Sequence, residues 1–517
     1  MSDDRDLADL EALSTIAGGA TWVMGGRVAK LIMLFFIQVF MARMLNPSSY
    51  GGVIIATAVM SVASLIGALG LPGCMTRKVA YYEDDPAKAR GTFWTGLALG
   101  AASGMLISAG IVIAAPFLST HVFDSPELVP ILRIAAIAIP FSILSGTGIS
   151  IAKASRDAKT HVVIKQLVRP ASKVLFVTLF IFVLGLGAVG AMAGIAFSIV
   201  LGGVGALLLA YRAFRVPVWG ETDLMFLEVL AFSLPLMFAA GAHFLIGNSD
   251  TFLIGTFLST TAVSNYDVAF KLQQLGTLFF FPATFLLPSV LTRLQKKDKM
   301  IEVRAVYQVV TKWTTLFSLP LFLTIFLFPD IVIMFTFGRK YLAGAEALRI
   351  LSVPILVTVA LGANGASLIS LGHNRINLYV NSGVALLNIG LNVVFIPSLG
   401  IVGAALASAV TFIARDGLFT LSLYRWYEIH PFSRAMVKPV IAACITAPFV
   451  ATILKMATPS DLLTLVLFGV FIVVVYFPVM IRLGAIEPID VRVFNYLESS
   501  VGVNLEVVRR VIQRLRA

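Results

Sequence analysis

Leu186-Gly187-Ala188-Val189-Gly190-Ala191 returns as Leu399-Gly400-Ile401-Val402-Gly403-Ala404, 213 positions later. A second echo runs beside it. Tyr50, Leu71, Pro72, Thr76 and Arg77 reappear as Tyr266, Leu287, Pro288, Thr292 and Arg293, each shifted by 216. Both echoes lie in or beside long apolar runs, so one plan is written twice along a membrane chain. Two matching lobes with a site between them suit a transporter that rocks. An enzyme with a single active-site groove has no need of that symmetry.

The chain has 517 residues, of which 58% are hydrophobic and only 13% charged. Its mean hydropathy is +0.93, whereas soluble domains carry about a quarter charged residues. Most of the length must therefore dissolve in lipid, with helix packed against helix. The net charge of +12 sits in short loops between apolar spans. That is a topology signal, and no nucleic-acid partner is expected. Cys74 and Cys444 both fall in or beside apolar stretches, which excludes a disulfide or zinc framework. No HExxH, Walker, GxSxG or CxxC motif occurs, so no metal, cofactor or ATP use is expected.

Windows of about 20 apolar residues predict about fourteen membrane helices. The fold expected is an all-α integral membrane protein: two pseudo-symmetric six-helix bundles plus an extra C-terminal helix pair. The boundaries predicted are a cytoplasmic segment over 1–20, an N-lobe over 21–215 and a C-lobe over 216–430. The extra pair covers 431–483, and a basic amphipathic cytoplasmic tail 484–517. In that tail Leu505, Val508, Val511, Ile512 and Leu515 share a face, apart from Arg509, Arg510, Arg514 and Arg516. Ala262–Leu291 and Leu348–Leu371 each read as one span, the eighth and the tenth. Pro140, Gly146 and Gly148 in the fourth span, with Pro354, Gly362 and Gly365 in the tenth, read as matching hinges.

Counting Lys and Arg by side orients the chain. With both termini inside, 26 fall on cytoplasmic segments and 4 outside, namely Arg43, Arg339, Lys340 and Lys455. The localisation expected is the cell membrane, multi-pass, with both ends cytoplasmic. The acidic Met1–Glu11 lacks the basic start of a signal peptide, so the first span reads as an uncleaved anchor. The outside loops are short, which disfavours a glycan polymerase or glycosyltransferase.

Ionisable groups inside spans default to a functional reading. His161, Lys165, Arg169 and Lys173 recur every four residues, which drifts only about 40° per step and makes one stripe. Pro170 bends the same stretch. The first span adds Arg27 and Lys30. These cations have no acid in their own helices, so a phosphate or pyrophosphate head group is the expected counter-ion, with Arg giving the bidentate fork. The second lobe carries acids instead. Asp267 and Lys271 are spaced to neutralise each other. Arg415 and Asp416, adjacent in sequence, point to different faces, so their spacing alone does not imply a pair. Asp250, near Asn248 and the outer mouth, is the candidate for a coupling ion or a proton. Asp250, Asp267, Lys271, Arg415 and Asp416 together form the coupling or cavity set.

The stretch Arg43-Met-Leu-Asn-Pro-Ser-Ser-Tyr50-Gly51 resembles the R-x-L-G-P-x-x-Y-G element of polysaccharide-repeat-unit (O-antigen-type) flippases, members of the multidrug/oligosaccharidyl-lipid/polysaccharide exporter superfamily. Ser249-Asp250 through Tyr266 and the Leu-Gly-x-Val-Gly-Ala elements are similar to that family's second-lobe signatures. The resemblance covers Thr21 to Ile481. It departs at Asn46, where the family commonly has Gly, and at Asp267, just after the family's Tyr. It implies two six-helix bundles facing each other in a V with an extra pair. It also implies transfer of a polyprenyl-(pyro)phosphate-linked oligosaccharide from the inner to the outer leaflet by alternating access. The partners it implies are that lipid-linked cargo, membrane lipids and glycan polymerase or glycosyltransferase machinery, with the chain itself a monomer. A peptidoglycan-precursor (lipid II) flippase of the same fold is one alternative. A multidrug/cation antiporter is another, but that would need acids rather than cations to draw its substrate.

Overall fold

The computed structural model describes residues 25–26, 29–154, 163–214, 216–457, 460–485, 487–490 and 493. No strand occurs among them, in agreement with the all-α expectation. The first helix, α1, is described over 29–44. It is followed by α2 (Pro47–Gly67), α3 (Leu71–Tyr81), α4 (Pro86–Phe117) and α5 (Leu128–Ala154). The fifth expected span is a short α-helix, α6 (Arg169–Thr178), between wide π-helical turns at Val163–Val168 and Leu179–Val183. Then come α7 (Gly187–Ala213), α8 (Phe226–Phe257) and α9 (Thr260–Leu275).

The rest of the chain forms α10 (Phe280–Lys296), α11 (Met300–Leu327), α12 (Pro329–Thr336), α13 (Ala345–Leu361) and α14 (Asn364–Ser370). A 54-residue helical stretch, α15 (Asn374–Tyr427), is broken at Gly400, whose φ of 61° and ψ of −140° leave the helical region. Last come α16 (Arg434–Ala457), α17 (Asp461–Phe471) and α18 (Phe477–Arg482). Among the described residues ten helices are long and apolar enough to cross a membrane. The break at Gly400 splits one of the ten into the two spans expected there.

The chain divides into two compact units, one over Trp22–Asp267 and the other from Val268 onward. The first therefore holds α8 and the start of α9 besides the helices of the expected N-lobe. Within it, α5 packs most extensively on α7 and α4. Glycines let the backbones approach: a Cβ at Gly203 would sit 2.7 Å from the Phe141 carbonyl oxygen, and one at Gly148 3.0 Å from that of Ala206. Such close approach is how helices gain contact in lipid, where no hydrophobic force joins them. Helix starts follow local chemistry. Pro47 and Pro86 open α2 and α4, and Asp85 caps α4 by accepting from the Lys88 amide at 3.2 Å.

Several sequence expectations need correction. The span Ala262–Leu291 is two helices, parted at Gly276, where a Cβ would lie 2.5 Å from Ile355 Cδ1. The span Leu348–Leu371 ends at Gly362, whose φ of +77° favours glycine. The fourth span runs unbroken as α5 through Pro140, Gly146 and Gly148, so the two proposed hinges do not match. At the start of the C-terminal tail Ala485 and Asp490 are fully buried in the second unit. Leu505 to Arg516 lie outside the described residues.

Candidate functional site

The fifth span owes its irregularity to Pro170. Proline has no N–H to donate, so the turn before it cannot close as a regular α-helix, and a wide π turn over Val163–Val168 takes its place. From Arg169 the chain is α-helical again. Arg169 and Lys173, one turn apart, then project to one side.

That side opens on a cleft of about 250 Å³ in the first unit. Lys30 of α1, Thr57 and Met60 of α2, Arg169 and Lys173 of α6, and Ser198 of α7 line it. The structure thus brings together three of the five cations expected to hold a phosphate. Arg27 lies outside the described residues. Lys165 falls in the π-helical turn, and its side chain is likewise outside them. No carboxylate pairs with the Arg169 guanidinium among the described residues. Its stem lies along α7, where a Cβ at Gly202 would come 3.4 Å from Arg169 Cγ. Thr57 Oγ1 donates to the Val53 carbonyl and Ser198 Oγ to that of Ile195, each at 2.7 Å. Both hydroxyl protons are therefore committed to backbone, which leaves the Arg169 guanidinium to meet a ligand.

The acids behave differently. Asp250 is only 5% exposed and accepts from Tyr266 Oη at 2.5 Å. The candidate coupling carboxylate is thus buried and hydrogen-bonded. Asp267 accepts from Tyr50 Oη at 3.1 Å. Nearby, Ser48 Oγ lies 2.8 Å from Thr260 Oγ1 and donates to Glu127 at 3.1 Å. Lys271 stands on α9, one turn beyond Asp267.

In the second unit Arg415 and Asp416, whose pairing the sequence left open, do pair, through Nε and Oδ1 at 2.9 Å. The guanidinium stem is long enough to fold back along the helix to its neighbour. Asp416 also accepts from Thr358 Oγ1 at 2.5 Å, and its carbonyl accepts from Asn364 Nδ2 at 2.9 Å. This buried cluster braces α13, α14 and α15.

The sequence reading missed two ion pairs. Lys312 Nζ, on α11, donates to Asp490 Oδ2 at 2.8 Å and to Glu487 Oε2 at 3.1 Å. Lys78, 9% exposed, pairs with Glu228, which also accepts from Tyr82 Oη at 2.7 Å. That hydrogen bond, with a smaller contribution from burial, pushes the Tyr82 phenol up to about 12. A lysine far along an apolar span, as at position 312, was the only available hint of either pair.

Residues 40–346 match the profile of a family described as "Polysaccharide biosynthesis protein". An uncharacterised membrane protein of Methanocaldococcus jannaschii, MJ1375, is 26% identical over 48% of this chain and 60% of its own length. A protein named as a probable low-salt glycan biosynthesis flippase, Agl15 of Haloferax volcanii, is 28% identical over 32% of this chain and 34% of its own. The chain thus spans less than two thirds of the curated relatives it matches. Among solved structures, the lipid II flippase MurJ in an inward closed conformation fits with a TM-score of 0.65. That fit covers 90% of this chain and 98% of MurJ at 13% identity, a likeness of fold.

Proposed function

Because the chain belongs to the polysaccharide biosynthesis protein family, we propose that it is a flippase for a polyprenyl-(pyro)phosphate-linked oligosaccharide. It moves this cargo from the inner to the outer leaflet by alternating access of two lobes, N-lobe 21–215 and C-lobe 216–430. It is a multi-pass transporter rather than an enzyme, and works as a monomer in the cell membrane with both termini cytoplasmic. Agl15, by its printed name, supports a glycan cargo.

One observation carries the reading: Lys30, Arg169 and Lys173 share one cleft. A cation at membrane depth is costly unless a counter-charge meets it, and the Arg169 guanidinium meets no carboxylate among the described residues. A phosphate supplies that charge, and the Arg fork with two ammonium groups can grip its oxygens through charge-assisted hydrogen bonds. Arg27 and Lys165 extend the same set. The sugar travels in polar surroundings while the polyprenyl tail stays in lipid. Asp250 serves as the coupling group, and Asp267, Lys271, Arg415 and Asp416 complete the polar set around the path. Glycan polymerase or glycosyltransferase machinery supplies and consumes the cargo.

The test is a lipid-linked oligosaccharide translocation assay on the Arg169→Ala/Lys173→Ala double variant. Transport is expected to fall at least about tenfold, the effect of losing one good charge-assisted contact or more, while membrane insertion is unchanged. Normal rates in the double variant would sink the phosphate clamp. The MurJ likeness over 90% of the chain favours lipid II as the second cargo to try. Rescue of a strain lacking its lipid II flippase would establish that cargo.

A further inference from the structure

Where α10 turns into α11, the second unit carries an open groove of about 410 Å³. Its floor is hydrocarbon from three segments: Leu294 on α10, Val306 on α11, and Ile489 with Val493 beyond α18. Ile301 on its edge is 80% exposed, an unusual setting for an isoleucine in water. The rim is charged. Lys297, Lys299 and Glu302 line it, with Lys296 at the end of α10 and Asp298 in the turn beside them. Lys299 lies 3.3 Å from Glu302, but both are about half exposed, so the pair is weak and leaves the rim cationic.

One wall of this groove is held in place. After α18 the chain turns at Gly484, whose φ is +82°. Asp490, wholly buried, then meets Lys312, which is 1% exposed. A buried ion pair persists only where its geometry is good and its partners are satisfied. Here the Asp490 carboxylate also accepts from the Glu487 amide at 2.8 Å. Ile489 and Val493, on either side of Asp490, are thereby fixed against α10 and α11. The groove is therefore built in advance of any occupant.

We propose that it binds an anionic phospholipid, with one acyl chain along Leu294, Val306, Ile489 and Val493 and the phosphate between Lys297 and Lys299. The floor calls for hydrocarbon and the rim for an anion. A soluble anion leaves the floor wet, and a neutral lipid leaves the net positive rim unbalanced. The depth also fits, because α11 is long and apolar enough to cross a membrane and the groove lies at its first turns, at headgroup level. This site is independent of the cargo cleft, and its lipid belongs to the surrounding leaflet.

The test titrates the purified full chain with phosphatidylglycerol or with phosphatidylcholine of the same acyl composition, and reads bound lipid by native mass spectrometry. Phosphatidylglycerol is expected to bind about tenfold more tightly, from two lysines near a headgroup. In Lys297→Gln/Lys299→Gln that preference disappears while the thermal midpoint without lipid stays put. Ile489→Asp, which spoils the floor, weakens both lipids. Equal binding of the two lipids, or a preference that survives the double variant, overturns the proposal. So does glycerol phosphate binding as tightly as the intact lipid, or an acidic protein partner displacing the lipid entirely.

Discussion

Tyr50 donates a hydrogen bond to Asp267, the residue that follows Tyr50's own repeat counterpart, Tyr266. Tyr266 in turn donates to Asp250. The repeated tyrosine thus meets a carboxylate in both copies, and both carboxylates lie outside the first copy. Two roles for Asp250 can be separated by substitution. Asp250→Asn keeps an acceptor for Tyr266 but removes the charge, so the protein is expected to fold and to lose the dependence of transport on an ion or proton gradient. Tyr266→Phe removes one donor from a buried carboxylate and is expected to cost about 1.5–3 kcal/mol. Thermal unfolding and gradient-dependent transport in vesicles check the pair. Gradient dependence intact in Asp250→Asn would remove Asp250 from the coupling role.

Gly51, the repeat counterpart of Asp267, occupies a backbone contact. A Cβ there would lie 1.8 Å from the Thr260 carbonyl oxygen, too close for any side chain. Gly51→Ala must push α2 away from the start of α9, and a loss of about 1–3 kcal/mol is expected. Gly205 on α7 has nothing within 4 Å of its missing Cβ. Gly205→Ala is therefore the matched control and should be neutral or slightly stabilising. Equal melting behaviour of the two variants would disprove the contact.

Tyr82 gives a pH signature outside the spans. Its phenol, held by Glu228, is pushed up to about 12, against about 10 unfolded. A raised pKa contributes stability that is fully present below pH 10 and is lost as pH rises through 12. Titrating tyrosinate absorbance should show a late-ionising step that Tyr82→Phe removes and Glu228→Gln moves to lower pH. Wild-type and variant curves that superimpose would refute the Tyr82–Glu228 bond.

How far the sequence was legible follows from the range of each signal. Hydropathy windows and the repeat are local or periodic, and they predicted an all-helical membrane chain whose family the profile match shows. The four-residue spacing of Arg169 and Lys173 placed them on one face, and the structure adds Lys30 from another helix to the same cleft. Gly276 and Gly362 break helices through close packing and a positive φ, which hydropathy averaging smooths over. Proline in the fourth span was misleading in the opposite way, since α5 absorbs Pro140 without a break. Side-chain reach escaped a rule about helix faces, as the Arg415–Asp416 bond shows. Of the partners separated by long stretches of chain, Lys312 alone left a mark, as a lysine inside an apolar span.

Lys312 and Asp490 are the extreme case, 178 positions apart and both buried. Removing one member leaves the other as an uncompensated charge in the interior, so Lys312→Met and Asp490→Leu are each expected to destabilise by about 3–5 kcal/mol. Removing both together strands no buried charge, because Glu487, the other partner of Lys312, is partly exposed. Apolar replacements of similar volume often match or exceed a buried pair, so Lys312→Met/Asp490→Leu should recover most of the loss. Thermal unfolding of the four proteins in one detergent closes the double-mutant cycle. Strict additivity, with the double variant as unstable as the two singles summed, would mean that the residues do not interact and that the segment around Ile489 and Val493 is held by its apolar contacts alone.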